Sequence, residues 1–128
     1  MHKTFLIAGA LLAGLAVVLG AFGAHGLKKF VSPETVNTFQ TGVQYQMYHA
    51  FALLVLAIVY QQFANNMMHY SGWFFLGGIL LFSGSLYVLV ILKARDITGL
   101  NGIGIITPIG GLLFITGWIL FVLGVLKK

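Results

Sequence analysis

The chain has 128 residues, 59% of them hydrophobic and 7% charged, with seven Lys and Arg against two Asp and Glu. A soluble domain carries about 25% charged residues, so this composition excludes a water-facing surface over most of the molecule. The net charge of +5 does not indicate nucleic acid: the basic residues stand singly or in pairs at the ends of apolar runs, where anionic headgroups attract them, and they form no basic face with base-reading side chains.

Residues 4–27, 35–92 and 97–126 contain no Asp, Glu, Lys or Arg. A spanning helix needs about 20 mostly apolar residues, so the outer stretches hold one span each and the middle one holds two. The expected fold is an all-α integral membrane protein, a compact bundle of four transmembrane helices in one membrane domain over 1–128. The helices are expected near 5–24, 43–63, 71–92 and 107–126. With no cysteine, disulfide and thiolate chemistry are excluded.

The N-terminal run ending Ala21-Phe22-Gly23-Ala24 resembles a secretory signal peptide. It is longer than a usual signal core, and Phe22 would occupy the −3 position of a cut after Ala24, so a retained first helix is expected. Ser32-Pro33-Glu34 reads as a helix start: Ser caps, Pro fits the first position and Glu suits the first turn. It opens a short interfacial helix that either bends at Gly42 or continues into the membrane. Asn65-Asn66 and Met67–Tyr70 are expected as the turn to helix 3, with Tyr70 and Trp73 in the aromatic belt. Lys93-Ala94-Arg95-Asp96 stops helix 3. Gly99, Gly102 and Gly104 mark 97–106 as a non-helical connection, and Pro108 falls in the first turn of helix 4.

Small residues recur every seven positions: Gly9, Ala16 and Gly23 in helix 1; Gly77 and Gly84 in helix 3; Gly110, Gly117 and Gly124 in helix 4. Helices in lipid associate by close van der Waals contact, which small residues permit. These stripes are expected to be packing faces.

Alternating spans place the helix 1–2 and 3–4 connections on one side of the membrane, here side B, and both termini on side A. The polar residues His25, Gln44, Gln46, Tyr48, His49, Ser83, Ser85, Tyr87 and Thr107 then gather toward side B, with His49 about 9 Å into helix 2. An amide or imidazole facing lipid is left unpaired at a cost of several kcal/mol, so these groups are expected to turn inward. They form either an interhelical hydrogen-bond network or a small pocket for an amphiphile, solute or proton. His25 and His49 lack a third ligand, so no metal or cofactor is expected. His2 and His69 read as solvated interfacial residues. Lys and Arg are nearly balanced, three on side A and four on side B, so orientation stays open, with a lean to termini inside.

Four strings carry a resemblance: Ala21-Phe22-Gly23-Ala24-His25-Gly26-Leu27, Thr41-Gly42-Val43-Gln44-Tyr45-Gln46-Met47-Tyr48-His49-Ala50, Phe82-Ser83-Gly84-Ser85-Leu86-Tyr87 and Ile106-Thr107-Pro108-Ile109-Gly110-Gly111. In order and over essentially the whole chain, they resemble the bacterial domain of unknown function 423 family, whose animal relatives are called transmembrane protein 256. The resemblance implies a small multi-span protein of the bacterial cytoplasmic membrane and brings no activity, substrate or catalytic residue. P-loop, GxGxxG, HExxH and CxxC patterns are absent. The function expected is non-enzymatic, through helix packing, assembly or contact with membrane lipids in support of membrane integrity, with a homo-oligomer open and no nucleic-acid partner. The alternative is an oligomeric transporter or channel for a small solute or proton using His49; a membrane enzyme is the least supported reading.

Overall fold

The computed structural model describes residues 2–96 and 101–127. Among the described residues, four helices are long and apolar enough to cross a membrane. They are α1 (Lys3–His25), α2 (Pro33–Val59), α3 (Asn66–Ala94) and α4 (Asn101–Lys127), with a 3-10 turn at Leu27–Lys29 before α2. α1 lies along α2, α4 lies along α3, and α2 meets α3 between them. Half of the spanning stretch of α2 is buried, against 17% in α1 and 22% in α4, so α2 is the core helix and α1 and α4 are flanks facing lipid.

Local chemistry sets the starts. Ser32 Oγ accepts the Thr35 N–H at 3.3 Å, with Pro33 and Glu34 in the first turn, as expected for a cap. α2 then runs unbroken through Gly42. Asn65 Oδ1 accepts the Met68 N–H at 3.0 Å, so α3 begins at Asn66, and Met67–Tyr70, expected as turn, are helical. Asparagine is among the best N-caps, and that signal lay in the sequence. Asp96, at φ 56°, ends α3 in the left-handed conformation that Asp tolerates.

The expected connection 97–106 is also corrected: Asn101–Ile106 belong to α4, while 97–100 lie outside the described residues. Glycine disfavours helix in water, but in an apolar phase an unpaired backbone costs more, and helix is the form that satisfies it.

The small-residue stripes hold on the flanks. Besides Phe5, the buried residues of α1 are Gly9, Ala16 and Gly23. A Cβ on Gly9 would stand 2.9 Å from the Ala50 carbonyl oxygen, and one on Gly23 would stand 2.7 Å from Gln40 Nε2. In α4, a Cβ on Gly110 would collide with the backbone of Phe82, and one on Gly117 would lie 2.8 Å from the Phe75 ring. Gly124 abuts Met68. α3 differs. Gly77 faces Leu113, but a Cβ on Gly84 would meet nothing within 4 Å, so Gly84 is not a packing residue. Ile79–Ser83 form a π-helical turn, with the Gly84 N–H donating to the Ile79 carbonyl. The additional residue in that turn rotates everything after it, and the seven-residue register is lost. The close glycines of α3 are Gly72, against Phe5, and Gly78, against Phe114.

Candidate functional site

The nine polar candidates do not form one cluster. The structure links Gln46, Tyr87 and Ser83, gives His49 and the Ser85–Thr107 pair ties of their own and leaves some aside. Gln46, 2% exposed, sits where three helices meet. Its Nε2 donates to the Leu12 carbonyl of α1 at 2.8 Å, and its Oε1 accepts from the Tyr87 hydroxyl of α3 at 2.7 Å. One side chain thus joins α1, α2 and α3.

His49 reaches the other way. Its ring stacks on Phe114 of α4 at 3.6 Å between centroids and 10° between planes. Nδ1 lies 2.8 Å from the Tyr45 carbonyl, and Nε2 lies 3.1 Å from Trp118 Nε1. An indole nitrogen only donates and a carbonyl only accepts. Nε2 is therefore the acceptor and Nδ1 carries the hydrogen: the partners select the neutral Nδ1–H tautomer. His49 also lies deeper than expected. α2 begins at Pro33, 49 − 33 = 16 residues earlier, which is about 24 Å along the helix.

The π turn of α3 makes the third tie. Ser83 Oγ donates to the Gly42 carbonyl at 2.6 Å, and a Cβ on Gly42 would stand 2.9 Å from the Tyr87 ring. Ser85 bonds Thr107 at 2.5 Å and the Phe82 carbonyl at 2.9 Å, fastening α3 to α4. His25 is exposed at the end of α1 and is not brought to the others. Gln44 and Tyr48 bond each other at 2.6 Å on the outer face of α2, contrary to the expectation that they turn inward.

Nor is polar structure confined to side B. Buried Ser71 donates to the Gly117 carbonyl at 2.7 Å, and Asn65 Nδ2 to the Gly124 carbonyl at 2.9 Å. His2, expected to be solvated, caps α1: its Nδ1 accepts the Phe5 N–H at 3.3 Å, its backbone N–H donates to the Ala57 carbonyl at 2.9 Å, and its ring stacks on Phe5. His69 accepts from Trp73 Nε1 at 3.1 Å, with its ring centroid 5.9 Å from that of His2. Burial, and then the nearby His69, hold the His2 imidazole below its ordinary value of 6.5.

Among the described residues, no three His, Cys, Asp or Glu side chains come together as a metal site, and no buried side-chain nitrogen or oxygen lacks a hydrogen-bond partner. What this arrangement can do chemically is hold helices in register.

The family described as "Protein of unknown function (DUF423)" matches residues 19–111. A UPF0382 membrane protein of Staphylococcus aureus is 43% identical over 125 residues, covering 98% of this chain and 97% of the relative. One of Staphylococcus saprophyticus is 44% identical over 125 residues, covering 98% of each. The UPF0382 membrane protein YwdK of Bacillus subtilis is 44% identical over 126 residues, again covering 98% of each. No solved structure matches the chain. With a family match over most of its length and relatives that align nearly end to end, this four-span chain belongs to the DUF423 family of membrane proteins.

Proposed function

We propose that the protein is a non-enzymatic component of the bacterial cytoplasmic membrane, acting by packing, assembly and lipid contact, with its central polar groups serving as structural ties. The observation that carries this reading is the satisfaction of the buried polar atoms: among the described residues each one has its partner within the chain. Both ends of the Gln46 amide and both nitrogens of the His49 ring are engaged by Leu12, Tyr87, Tyr45 and Trp118, where a ligand site would keep an end open for a guest. Lipid contact is supported at the side-B surface, where Lys28 borders a cleft of about 290 Å³ with Val31, Pro33 and Val36. A cation above apolar walls suits an anionic headgroup and the top of its chain.

Native mass spectrometry of the protein released from nanodiscs, together with proton and solute flux into proteoliposomes, tests the reading. Lipids alone should be retained, and His49→Ala should lower stability while leaving flux at the empty-liposome level. A stoichiometric non-lipid ligand, or a flux abolished by His49→Ala, would overturn it in favour of transport.

A further inference from the structure

The outer face of α2 separates it from the other helices. α1 and α4 expose large apolar side chains over their middle turns, such as Leu11, Leu15, Leu112 and Ile115. α2 is the most buried helix, yet Thr41, Gln44, Tyr48, Phe51, Val55 and Ile58 are all exposed on it. Their spacing alternates between three and four residues. That is the seam of a left-handed helix pair, and inside the membrane this one carries an amide and a phenol.

Depth makes the exposure costly. The Ser83–Gly42 bond ties this level of α2 to a point 94 − 83 = 11 residues from the charged end of α3, about 16 Å along it. Gln44 follows Gly42 by two residues, so it lies near the middle of a hydrocarbon core about 30 Å thick. Gln44 Nε2 donates to the Tyr48 hydroxyl, and neither side chain makes another bond within the described residues. Gln44 keeps its acceptor oxygen and its second N–H, and Tyr48 keeps its hydroxyl hydrogen. Acyl chains offer neither donor nor acceptor, and headgroups lie too far away.

We propose that two copies of this chain pair in parallel through the α2 stripe 41–58, with Gln44 and Tyr48 of each copy completing the hydrogen bonds of the other. An amide is both donor and acceptor, so across a two-fold axis along the membrane normal the same residue is its own complement. A polar residue at a seam position also fixes register and orientation. An antiparallel pair centred on Phe51 would instead set Gln44 against Ile58 and strand the amide. The inference goes beyond the structural reading above and does not rest on it, since a transporter could use the same dimer.

The chain has no cysteine, so single introduced thiols are unambiguous. Cysteines at Thr41, Phe51, Val55 and Ile58, one per variant, should each form a disulfide-linked dimer under mild oxidation in native membranes. Leu11→Cys and Leu112→Cys should stay monomeric. Gln44→Leu should weaken self-association roughly three- to tenfold in a fluorescence-transfer titration in bilayers, with the circular dichroism of the monomer unchanged. The proposal is overturned by cross-linking that is absent from the α2 stripe, equally strong at Leu11 and Leu112, or confined to Phe51→Cys, the one stripe position that the antiparallel pair sets against its own copy. It is overturned as well by adducts to a different protein in place of the dimer, which would assign the face to a heterologous partner.

Discussion

Gln46 and His49 stand three residues apart on α2, and both are buried, yet they bind the bundle in different ways. Gln46 is enclosed between α1 and α3 and uses a backbone carbonyl and a phenol as partners. His49 points toward α4, and its partner Trp118 is 44% exposed, with its indole 4.7 Å from the Phe75 ring on the inner side. A core helix with flanks on both sides needs a tie in each direction, because lipid removes the hydrophobic drive that would press the flanks inward. The Gln46 tie is closed on every side. The His49 tie has one end at the lipid face, where the indole can turn away.

The harshest way to separate the two is Gly110→Ala. Its Cβ would run into the Phe82 backbone, so α4 must move off α3, at a cost of about 2–3 kcal/mol in a detergent unfolding titration. The His49–Trp118 bond should go with it, while the Gln46 tie, which does not involve α4, survives. Gly84→Ala, which meets open space, should stay within about 0.5 kcal/mol of the parent, and a large loss there would contradict the rotation made by the π turn.

Next in size is Gln46→Leu. Two hydrogen bonds vanish and the Tyr87 hydroxyl keeps only Ser83 beside it, for about 1–2 kcal/mol, since interhelical bonds in membranes average about 0.6 kcal/mol and reach about 1.7. Adding Tyr87→Phe should cost little more, because the partner is already lost; full additivity in the double-mutant cycle would mean that the two side chains do not interact. His49→Ala should cost about 1 kcal/mol and blue-shift or broaden Trp118 emission, while Trp73, on side A, reports no change.

The smallest effect concerns His2, outside the spans. Its folded value is lowered, by burial first and then by the charge of His69, so below 6.5 the unfolded chain takes up the proton more readily than the folded one. Stability is therefore full above 6.5 and falls as pH drops from there through the lower folded value. His2→Asn, which can still cap α1, should flatten that decline in thermal melts taken across the window, and an unchanged slope would place its origin elsewhere.

Much of the fold was legible because apolar runs between charges measure spans directly, and because seven-residue stripes survive in the uninterrupted helices α1 and α4. Gly84 was misread because a π turn leaves no mark in residue type, yet it shifts every face beyond it. Asn101–Ile106 were misread because glycine propensity was judged as though in water. Gln46 and His49 were legible as inward polar groups. Their partners were less so: the Leu12 and Tyr45 carbonyls belong to the backbone and carry no compositional signal. Trp118 could have been found, as it stands four residues after Phe114 on the face toward α2.

The state of the His49 ring tests most directly whether the centre of the bundle is a set of internal ties. Solid-state nitrogen NMR of histidine-labelled protein in lipid bilayers, with His49 assigned by comparison with His49→Ala, reads which ring nitrogen bears hydrogen. The expected result is a protonated Nδ1 and a bare, hydrogen-bonded Nε2, with the Nε2 signal altered in Trp118→Phe. Hydrogen on Nε2, or a ring indifferent to the loss of Trp118, would show that His49 is not held as a tie and would return it to the candidates for binding or proton movement.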